Sequence, residues 1–452
     1  VLRDDGTVWT FGSNMYGRLG LGDDAGATST SPKQVTIRED LVMGPDLAVQ
    51  RIAVGESFTL ALTTAETGSK VFAWGNNNQG QLGLDIQDLG ANWTATPVML
   101  KLDELLPEGA VIVDMAAGKD HALLLDSMGN VYAMGSYAGG KVDTTVTTGR
   151  TTGPVKVLLP SSAKAYDISA DQDTTHILTR SGDVLSFGKD SSMYYGQFGT
   201  SQVTQVGPVY AEGSHYIALS SGANSVLTID VDGKVWAWGS NARGQLGMGG
   251  DTGSNRNVTT ATNMTTFNDN FVTEYVDGNG DTITHSPTTT YVLNAGTFVH
   301  TETYDAAVEA GNVTGSVAIL ISAGATNYVR YLDKSVKASG YNQSGQLGNS
   351  SNVSRNVADF VWGGEAGNGN SQAIIDNVMG IAGAPYGEHA IMYDNEHGTV
   401  YAWGNNQSGQ LGDGTYTGKH LPVSVLENGG GSYLDVDRIY IIEEGSTIRQ
   451  AA

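Results

Sequence analysis

Short segments of alternating apolar and polar residues recur along the chain, each followed by a glycine-rich turn. Two examples are VDMAAGKDHALLLDSMGNVYAMG, from Val113 to Gly135, and YIALSSGANSVLTIDVDGKVWAWG, from Tyr216 to Gly239. Runs of this length with period-two alternation, joined by Met-Gly or Asp-Gly, are typical of antiparallel strands on tight hairpins. Each unit is therefore predicted to be one small twisted sheet.

A glycine-rich corner closes each unit, and it recurs seven times. Its fullest forms are WGNNNQGQLG, from Trp74 to Gly83, and WGNNQSGQLG, from Trp403 to Gly412. The first glycines of the seven corners are Gly12, Gly75, Gly135, Gly188, Gly239, Gly340 and Gly404. Glycine there permits a positive φ or a close backbone approach, and the aromatic residue before it is expected to fill space between neighbouring sheets.

The spacing of the corners indicates a ring. It is 51 residues from Gly188 to Gly239 and 64 from Gly340 to Gly404, which suits the blades of a propeller. One small sheet cannot bury both faces, whereas sheets stacked in a ring can. Residues 437–452 resemble the start of a unit and residues 1–12 resemble its end, so the two terminal segments are predicted to pair and close the ring.

One unit is longer than the others. The interval from Gly239 to Gly340 is 101 residues, and the extra segment runs roughly from Thr265 to Gly311. Within it, FVTEYVDGNGDTITH, from Phe271 to His285, is predicted to form a β-hairpin. Because 101 is about twice the usual interval, the segment is either a β insertion or a degenerate eighth blade. We favour the insertion, because the segment lacks a corner.

The corner pattern G-x-N-x-x-G-Q-L-G, after a strand such as DGKVWAWG, resembles the regulator of chromosome condensation repeat. The resemblance covers nearly the whole chain outside the insertion. It implies an all-β, seven-bladed β-propeller of four-stranded blades, with residues 1–452 as a single propeller domain. It leaves function open, because the family includes an exchange factor, a photoreceptor and enzyme inhibitors on one rigid scaffold.

Composition narrows the function classes. The chain carries 24 Lys and Arg against 47 Asp and Glu, a net charge of −23, whereas nucleic-acid binding relies on clustered basic residues. Nucleic acid is therefore not an expected partner. The chain has no cysteine, which excludes disulfides and thiolate chemistry, and no apolar run long enough to insert into a membrane. The acidic, Thr-, Asn- and Gly-rich composition favours an extracellular, cell-surface or virion location over a nuclear one.

Few residues suggest chemistry. His121 and His389 occupy equivalent positions in their units, and His176 is grouped with them; a buried structural role is favoured over catalysis because no Ser or Asp partner recurs with them. The runs DVDG at residues 230–233 and DGNGD at residues 277–281 resemble calcium loops but lack the closing Glu, so hairpin turns are favoured. No catalytic residue, cofactor or metal site is predicted.

Aromatic side chains in the loops are the best candidates for contact with a partner, because equivalent loops emerge on one face of a propeller and aromatic residues carry binding energy. The candidates are Tyr16, Trp93, Tyr137, Tyr194, Tyr195, Tyr341 and, in the insertion, Tyr275 and Tyr291. The function predicted is a non-enzymatic protein-interaction or structural scaffold of a bacterium or phage, with a protein partner or self-assembly. The alternatives are a regulator of one enzyme, of the inhibitor or guanine-nucleotide exchange type, and a carbohydrate-binding module.

Overall fold

A computed structural model of the 452-residue chain shows the fold. The structure describes residues 1–3, 5–22, 26–38, 47–63, 69–142, 148–160, 163–188, 204–206, 216–222, 225–230, 233–249, 258–264, 266–267, 274–276, 282–284, 291–294, 297–300, 318–322, 324–331, 334–364, 374–375, 378–384, 387–394, 399–426 and 439–440.

Seven four-stranded antiparallel sheets form the seven blades of a propeller. In order from first to fourth strand, blade 1 has Ile439–Tyr440, Leu2–Arg3, Val8–Ser13 and Thr28–Val35; blade 2 has Val49–Val54, Phe58–Thr63, Lys70–Asn76 and Trp93–Met99; blade 3 has Ile112–Ala117, His121–Asp126, Val131–Gly135 and Val155–Lys156; blade 4 has Ala165–Ala170, Thr174–Thr179, Val184–Gly188 and Thr204–Val206. Blade 5 has Tyr216–Gly222, Ser225–Asp230, Val235–Gly239 and Val258–Asn263; blade 6 has Ala318–Ser322, Thr326–Tyr331, Val336–Gly340 and Arg355–Phe360; blade 7 has Val378–Gly383, His389–Asp394, Val400–Gly404 and Lys419–Ser424. Among the described residues, the helical elements are Ile86–Leu89 and two single turns, Met15–Gly17 and Ala138–Gly140.

First strands of neighbouring blades contact one another from blade 2 round to blade 7, so they line the centre of the ring. The ring closes in blade 1, where Leu2 pairs with Tyr440 and Arg3 pairs with Ile439. The C-terminal segment thus provides the first strand of this blade and the N-terminal segment provides the other three. This pairing confirms the predicted closure, and the seven sheets confirm the predicted fold.

The hydrophobic core is divided among the junctions between blades. Seven clusters of buried apolar side chains are found among the described residues, one at each junction of the ring. Between blades 2 and 3, for example, Phe58 and Leu60 pack with Met115, Leu124 and Tyr132. Because each sheet buries both faces against its neighbours, no blade has a complete core of its own.

Fourth strands form the outer edge of the ring. Three of them contain a proline, Pro32 in blade 1, Pro97 in blade 2 and Pro422 in blade 7. Proline has no N–H group to donate to a further strand, so it is tolerated on an edge and discourages pairing with another chain.

The segment between blades 5 and 6 contains two further two-stranded sheets. Glu274–Val276 pairs with Thr282–Thr284, which confirms the predicted hairpin, and Tyr291–Asn294 pairs with Thr297–His300. At the beginning of the segment, the Phe267 side chain is buried and packs with blades 5 and 6. The Tyr331 hydroxyl donates a 2.7 Å hydrogen bond to the Phe267 carbonyl. Phe267 therefore belongs to the packed propeller.

Candidate protein-binding site

The corners begin with a glycine that ends the third strand of each blade. All seven of these glycines have φ between 100° and 130°, which confirms the predicted positive φ. In blade 2, a Cβ added to Gly75 would lie 2.6 Å from the Phe58 Cα and the Ser57 carbonyl oxygen. The corner is thus folded tightly over the turn between the first and second strands. We call the side of the ring that carries these corners and turns the corner face.

An asparagine organises each of five corners from within. The side-chain oxygen of Asn14, Asn77, Asn241, Asn342 or Asn406 accepts the backbone N–H of the leucine five residues later, at 2.7–3.1 Å. In four of these corners, the side-chain oxygen of Gln81, Gln245, Gln346 or Gln410 accepts the N–H of the residue two positions before it, at 2.8–3.0 Å. These internal bonds replace secondary structure in the loop, so the corner is rigid.

The corners also fasten each blade to the next. The Trp74 indole N–H of blade 2 donates to the Arg18 carbonyl in the corner of blade 1, at 3.0 Å. The Trp403 indole of blade 7 donates to the Gln346 carbonyl in the corner of blade 6, at 2.7 Å. Both indoles are fully buried. The predicted packing role of the aromatic residue before the corner glycine is confirmed, and the repeated motif holds the ring together.

Two corners depart from this pattern, because a cationic residue replaces the glutamine. In blade 1 the residue is Arg18 and in blade 3 it is Lys141. Neither cation has an amide oxygen that could accept the N–H group of the residue two positions before it. That earlier residue adopts a left-handed conformation in both corners: Tyr16 has φ 60° and Gly139 has φ 76°. For a tyrosine this conformation costs about 1–2 kcal/mol, so it marks a strained position.

The two cations have different partners. Lys141 is buried, and its ammonium group lies 2.5 Å from an Asp120 carboxylate oxygen and 3.0 Å from one of Asp173, which ties blade 3 to blade 4. Arg18 is half-buried; its guanidinium group donates to the Met15 carbonyl at 3.1 Å and to the Glu56 carbonyl of blade 2 at 3.0 Å.

Tyr16 and Trp93 lie together beside the corner of blade 1. Both are 41% exposed, and Met15 next to them is 59% exposed. The three side chains line a cavity of about 370 Å³ between this corner and the start of the fourth strand of blade 2. We call the surface of Met15, Tyr16 and Trp93 the aromatic cleft. It combines two of the predicted candidate residues with an exposed methionine.

The exposed surface continues towards blade 7. Tyr416 is 57% exposed, and its hydroxyl lies 3.2 Å from the Thr28 hydroxyl at the start of the fourth strand of blade 1. Gly26, two residues before Thr28, lines the cavity of the aromatic cleft. Tyr416 was not among the predicted candidates, although it follows the blade 7 corner much as Trp93 follows the blade 2 corner.

The other predicted aromatic residues are placed differently. Tyr137 is half-buried and packs on the core cluster between blades 3 and 4. Tyr341 is half-buried beneath the Arg243 guanidinium, whose central carbon lies 3.9 Å from the centre of the tyrosine ring. Tyr194 and Tyr195 lie outside the described residues. Tyr275 and Tyr291 lie in strands of the inserted segment, and their side chains lie outside the described part.

Two of the three histidines are equivalent. His121 pairs with Gly135 and His389 pairs with Gly404, whereas His176 lies two residues further along its strand and pairs with Ser186. The grouping of His176 with the other two is therefore wrong. Burial lowers the pKa of His176 to about 3 and that of His389 to about 4. Burial and then the Lys141 charge lower the pKa of His121 well below its usual value.

The polar groups around these histidines fit a structural role. The His176 ring lies 2.6 Å from the Ser186 hydroxyl and 3.1 Å from the Thr174 hydroxyl, and His121 lies 3.1 Å from the Thr175 hydroxyl. The rings remain uncharged at neutral pH because their pKa values are low.

The two calcium-like runs find no support as metal sites in the residues that the structure describes. Both carboxylate oxygens of Asp230 are used within its hairpin, by the Lys234 N–H at 2.9 Å and the Trp236 indole at 2.7 Å. The run at residues 277–281 lies outside the described part. Within that part, no group of three or more acidic or histidine side chains is placed to hold a metal ion, and no helix is long and apolar enough to cross a membrane.

A larger cavity, of about 530 Å³, lies where blade 1 meets blades 2 and 7. Trp9, Phe11 and Phe58 line it. Phe11 and Phe58 belong to the packing of the junctions, and we assign no ligand to this cavity.

A known sequence repeat matches the parts of this chain that contain the repeated corners. The Regulator of chromosome condensation (RCC1) repeat matches residues 5–62, 69–125, 232–276 and 397–436, and a second description of the same repeat matches residues 49–81. The matched ranges include the corners of blades 1, 2, 5 and 7.

Relatives and a solved structure extend the match. The mouse Regulator of chromosome condensation is 27% identical over 55% of this chain and 59% of its own length. The Xenopus laevis Serine/threonine-protein kinase Nek9 is 26% identical over 55% of this chain but only 26% of its own length. This chain therefore spans less than two thirds of these relatives. The crystal structure of Prp20p from Saccharomyces cerevisiae, described with its binding to Gsp1p and histones, covers 94% of this chain and 87% of its own with a TM-score of 0.68 at 18% identity.

These findings correct the predicted location. Relatives named for chromosome condensation, and a similar fold in a histone-binding protein, contradict an extracellular or virion location and the exclusion of a nuclear one. Composition misled the prediction, because net charge reports on solubility and association rather than on compartment. The absence of nucleic-acid partners and self-assembly both stay predictions. The repeated corners, the closed ring of seven blades and the matching repeats together show that this chain is similar to propellers built from the regulator of chromosome condensation repeat.

Proposed function

We propose that this chain is a non-enzymatic binding protein that holds a protein partner on its corner face, centred on the aromatic cleft. The observation that carries the proposal is the gathering of Met15, Tyr16, Trp93 and Tyr416, each at least 41% exposed, along one part of the rim. Tyrosine and tryptophan contribute most to binding energy at protein interfaces, and methionine adapts to irregular partners.

The polar groups of the cleft favour a protein over a carbohydrate. A sugar site needs polar groups that are free to orient hydroxyls. In this cleft the Asn14 amide oxygen accepts the Leu19 N–H at 3.1 Å, and its amide nitrogen donates to the Gly26 carbonyl at 2.9 Å. The asparagine thus serves the loop, and the exposed surface beside it is mainly apolar.

The relatives support a protein partner, and charge favours a basic one. Prp20p, whose fold is similar, binds Gsp1p and histones. The net charge of −23 attracts a basic protein and raises the rate of encounter at low salt. Regulation of one enzyme, as an inhibitor or an exchange factor, would be one form of such binding to a protein partner.

The test measures binding of purified core histones and of Gsp1p by biolayer interferometry, with the wild type, Trp93→Ala and Met128→Ala. Met128 is a matched control, because it is 40% exposed but lies in the hairpin between the second and third strands of blade 3, away from the corner face. We expect Trp93→Ala to weaken binding about 30-fold, the usual cost of losing a binding hot spot, and Met128→Ala to leave it unchanged.

Two results would count against the proposal. One is no measurable binding of either protein by the wild type. The other is equal binding by the wild type and Trp93→Ala, which would place the contact elsewhere on the ring. Equal melting temperatures of the three proteins would show that the substitutions act at the surface.

A further inference from the structure

We infer that the aromatic cleft is a receptor for an arginine side chain on a basic polypeptide segment of the partner. The inference rests on the proposed function, because it names the chemical group that the partner would insert. It is carried by the way the chain fills the corresponding positions at two other junctions between blades.

The first of these positions is in the corner itself. Tyr16 immediately precedes Gly17, and in the corner of blade 5 the same place, before Gly244, is taken by Arg243. The Arg243 guanidinium stacks on Tyr341 of blade 6, 3.9 Å from the ring centre. At this junction the chain therefore provides both an arginine and the aromatic ring that receives it.

The second position is at the start of the fourth-strand region of the next blade. Trp93 pairs with Asn76, and at the corresponding place in blade 3 Arg150 pairs with Ser136. The Arg150 guanidinium donates a 2.6 Å hydrogen bond to the Asn78 carbonyl in the corner of blade 2. Here too an arginine of the chain bridges one corner and the following blade.

At the junction of blades 1 and 2, both of these positions carry aromatic residues. Tyr16 takes the place of Arg243 and Trp93 takes the place of Arg150, and a cavity of about 370 Å³ opens between them. Arg18 does not line this cavity, because its guanidinium group is held by the Met15 and Glu56 carbonyls. This junction thus has two exposed rings to receive a cation. It lacks an arginine like Arg243 between blades 5 and 6 or Arg150 between blades 2 and 3.

The chemistry of arginine suits this cleft. A guanidinium group is planar and weakly hydrated, so it stacks on aromatic rings more readily than the compact ammonium group of lysine does. Charge complementarity points the same way, because a chain with a net charge of −23 attracts basic segments. Met15 at the edge of the cavity can pack on the aliphatic part of the arginine side chain.

The experiment uses the whole chain labelled with 5-fluorotryptophan and observed by fluorine NMR. The chain has seven tryptophans, and Trp93→Phe identifies the resonance of Trp93. The probes are three capped peptides, Gly-Ser-X-Ser-Gly, in which X is arginine, lysine or citrulline. Citrulline has nearly the shape of arginine without its charge, so it separates cation binding from simple packing.

We expect the arginine peptide to shift the Trp93 resonance saturably and to leave the other tryptophan resonances in place. The citrulline peptide should bind about 3- to 30-fold more weakly, the range that corresponds to a cation–π contact, and the lysine peptide should fall between the two. Tyr16→Ala should weaken binding of the arginine peptide, whereas Met128→Ala should not.

Equal binding of the arginine and citrulline peptides, or a shift that persists in Tyr16→Ala, would overturn the inference. The proposed function fails separately. If histones or Gsp1p bind through Trp93 but the arginine peptide has no advantage, the chain is still a binding protein and its cleft receives another kind of side chain. If the arginine peptide binds as expected and neither protein does, the cleft is an arginine receptor and the two proteins are not its partners.

Discussion

The corners of blades 1 and 7 are neighbours in the ring and begin alike. Asn14 in one and Asn406 in the other each accept the N–H group of a leucine, at 3.1 and 3.0 Å. The difference that matters lies four residues later, at Arg18 in blade 1 and Gln410 in blade 7. In blade 7 the Ser408 N–H donates to the Gln410 side chain at 2.8 Å, as in three other corners. In blade 1 the corresponding residue is Arg18, which has no acceptor to offer.

The difference between Arg18 and Gln410 separates two tasks of the same motif. The shared glycine and asparagine fold the corner and fasten it to the next blade. Replacing the glutamine with arginine leaves that framework in place but turns Tyr16 to φ 60°, in a side chain that is 41% exposed. Shared positions therefore hold the ring, and departures from the pattern alter what the corner face presents.

The largest effect is expected at a shared position. Gly404 has φ 104°, and an added Cβ would lie 2.7 Å from the His389 Cα. Gly404→Ala should lower the free energy of unfolding by about 2–5 kcal/mol, because it combines left-handed strain with a steric clash. Gly90, with φ 67° and nothing within 4 Å of an added Cβ, is the matched control. Gly90→Ala should cost only about 1–2 kcal/mol. Denaturant titration measures both, and equal costs would contradict the assigned role.

A smaller effect on the free energy of unfolding is expected from His176, which is buried in the sheet of blade 4. Blade 4 has the cross-strand pair His176 and Ser186, where blades 2, 3 and 5 have leucine and alanine. The pKa of His176 is lowered from 6.5 to about 3, so the unfolded chain binds the proton more readily. Stability is fully present above pH 6.5 and is lost as the pH falls below that value. By about pH 5, this one histidine should remove about 2 kcal/mol.

The double variant His176→Leu with Ser186→Ala restores the pair found in the other blades. Between pH 6.5 and 5 it should lose about 2 kcal/mol less stability than the wild type. Part of the pH dependence will persist, because the pKa values of His121 and His389 are also lowered. Denaturant titration at each pH measures the free energy of unfolding. If the double variant and the wild type show the same dependence on pH, His176 is charged or exposed in the folded chain.

Sequence patterns predicted the framework well, because it depends on local rules that repeat. Glycine is needed where φ is positive, and apolar residues are needed at successive positions, as in Leu123, Leu124 and Leu125, where a sheet is buried on both faces. Because the repeat occurs seven times, these rules are visible in the sequence. The incomplete repeats at the two ends also predicted the closure of the ring, which occurs where Leu2 pairs with Tyr440. The grouping of His176 with His121 was wrong because Thr174, not His176, occupies the position that pairs with the corner glycine of blade 4.

The candidate site was predicted only in part, because it depends on contacts between blades. Tyr16 and Trp93 were both named, but they belong to different blades and lie 77 positions apart in the sequence. Their meeting around one cavity follows from the ring. Tyr341 looked equivalent in the sequence, yet it is covered by Arg243 from the preceding blade. The useful signal was present in GRLG at residues 17–20, where the usual glutamine is replaced by Arg18.

The smallest effect on stability should come from exchanging the residues that distinguish the two corners. Arg18→Gln offers the missing amide oxygen to the Tyr16 N–H group. Tyr16 should then turn to negative φ, which removes about 1–2 kcal/mol of strain and loses the hydrogen bond to the Glu56 carbonyl, worth about 1 kcal/mol. The net change in the free energy of unfolding should therefore stay within about 1 kcal/mol, although the aromatic cleft is rearranged.

The reciprocal change, Gln410→Arg, completes the exchange. It removes the acceptor of the Ser408 N–H group, so Ser408 should move to positive φ at a cost of about 1–2 kcal/mol. Crystal structures of both variants report φ directly, and the fluorine NMR titration reports whether Arg18→Gln weakens the arginine peptide. If Tyr16 keeps its positive φ in Arg18→Gln, the glutamine does not determine the corner conformation. The exposed tyrosine would then have to be explained by its contact with blade 2, where Gly17 packs against Ala95.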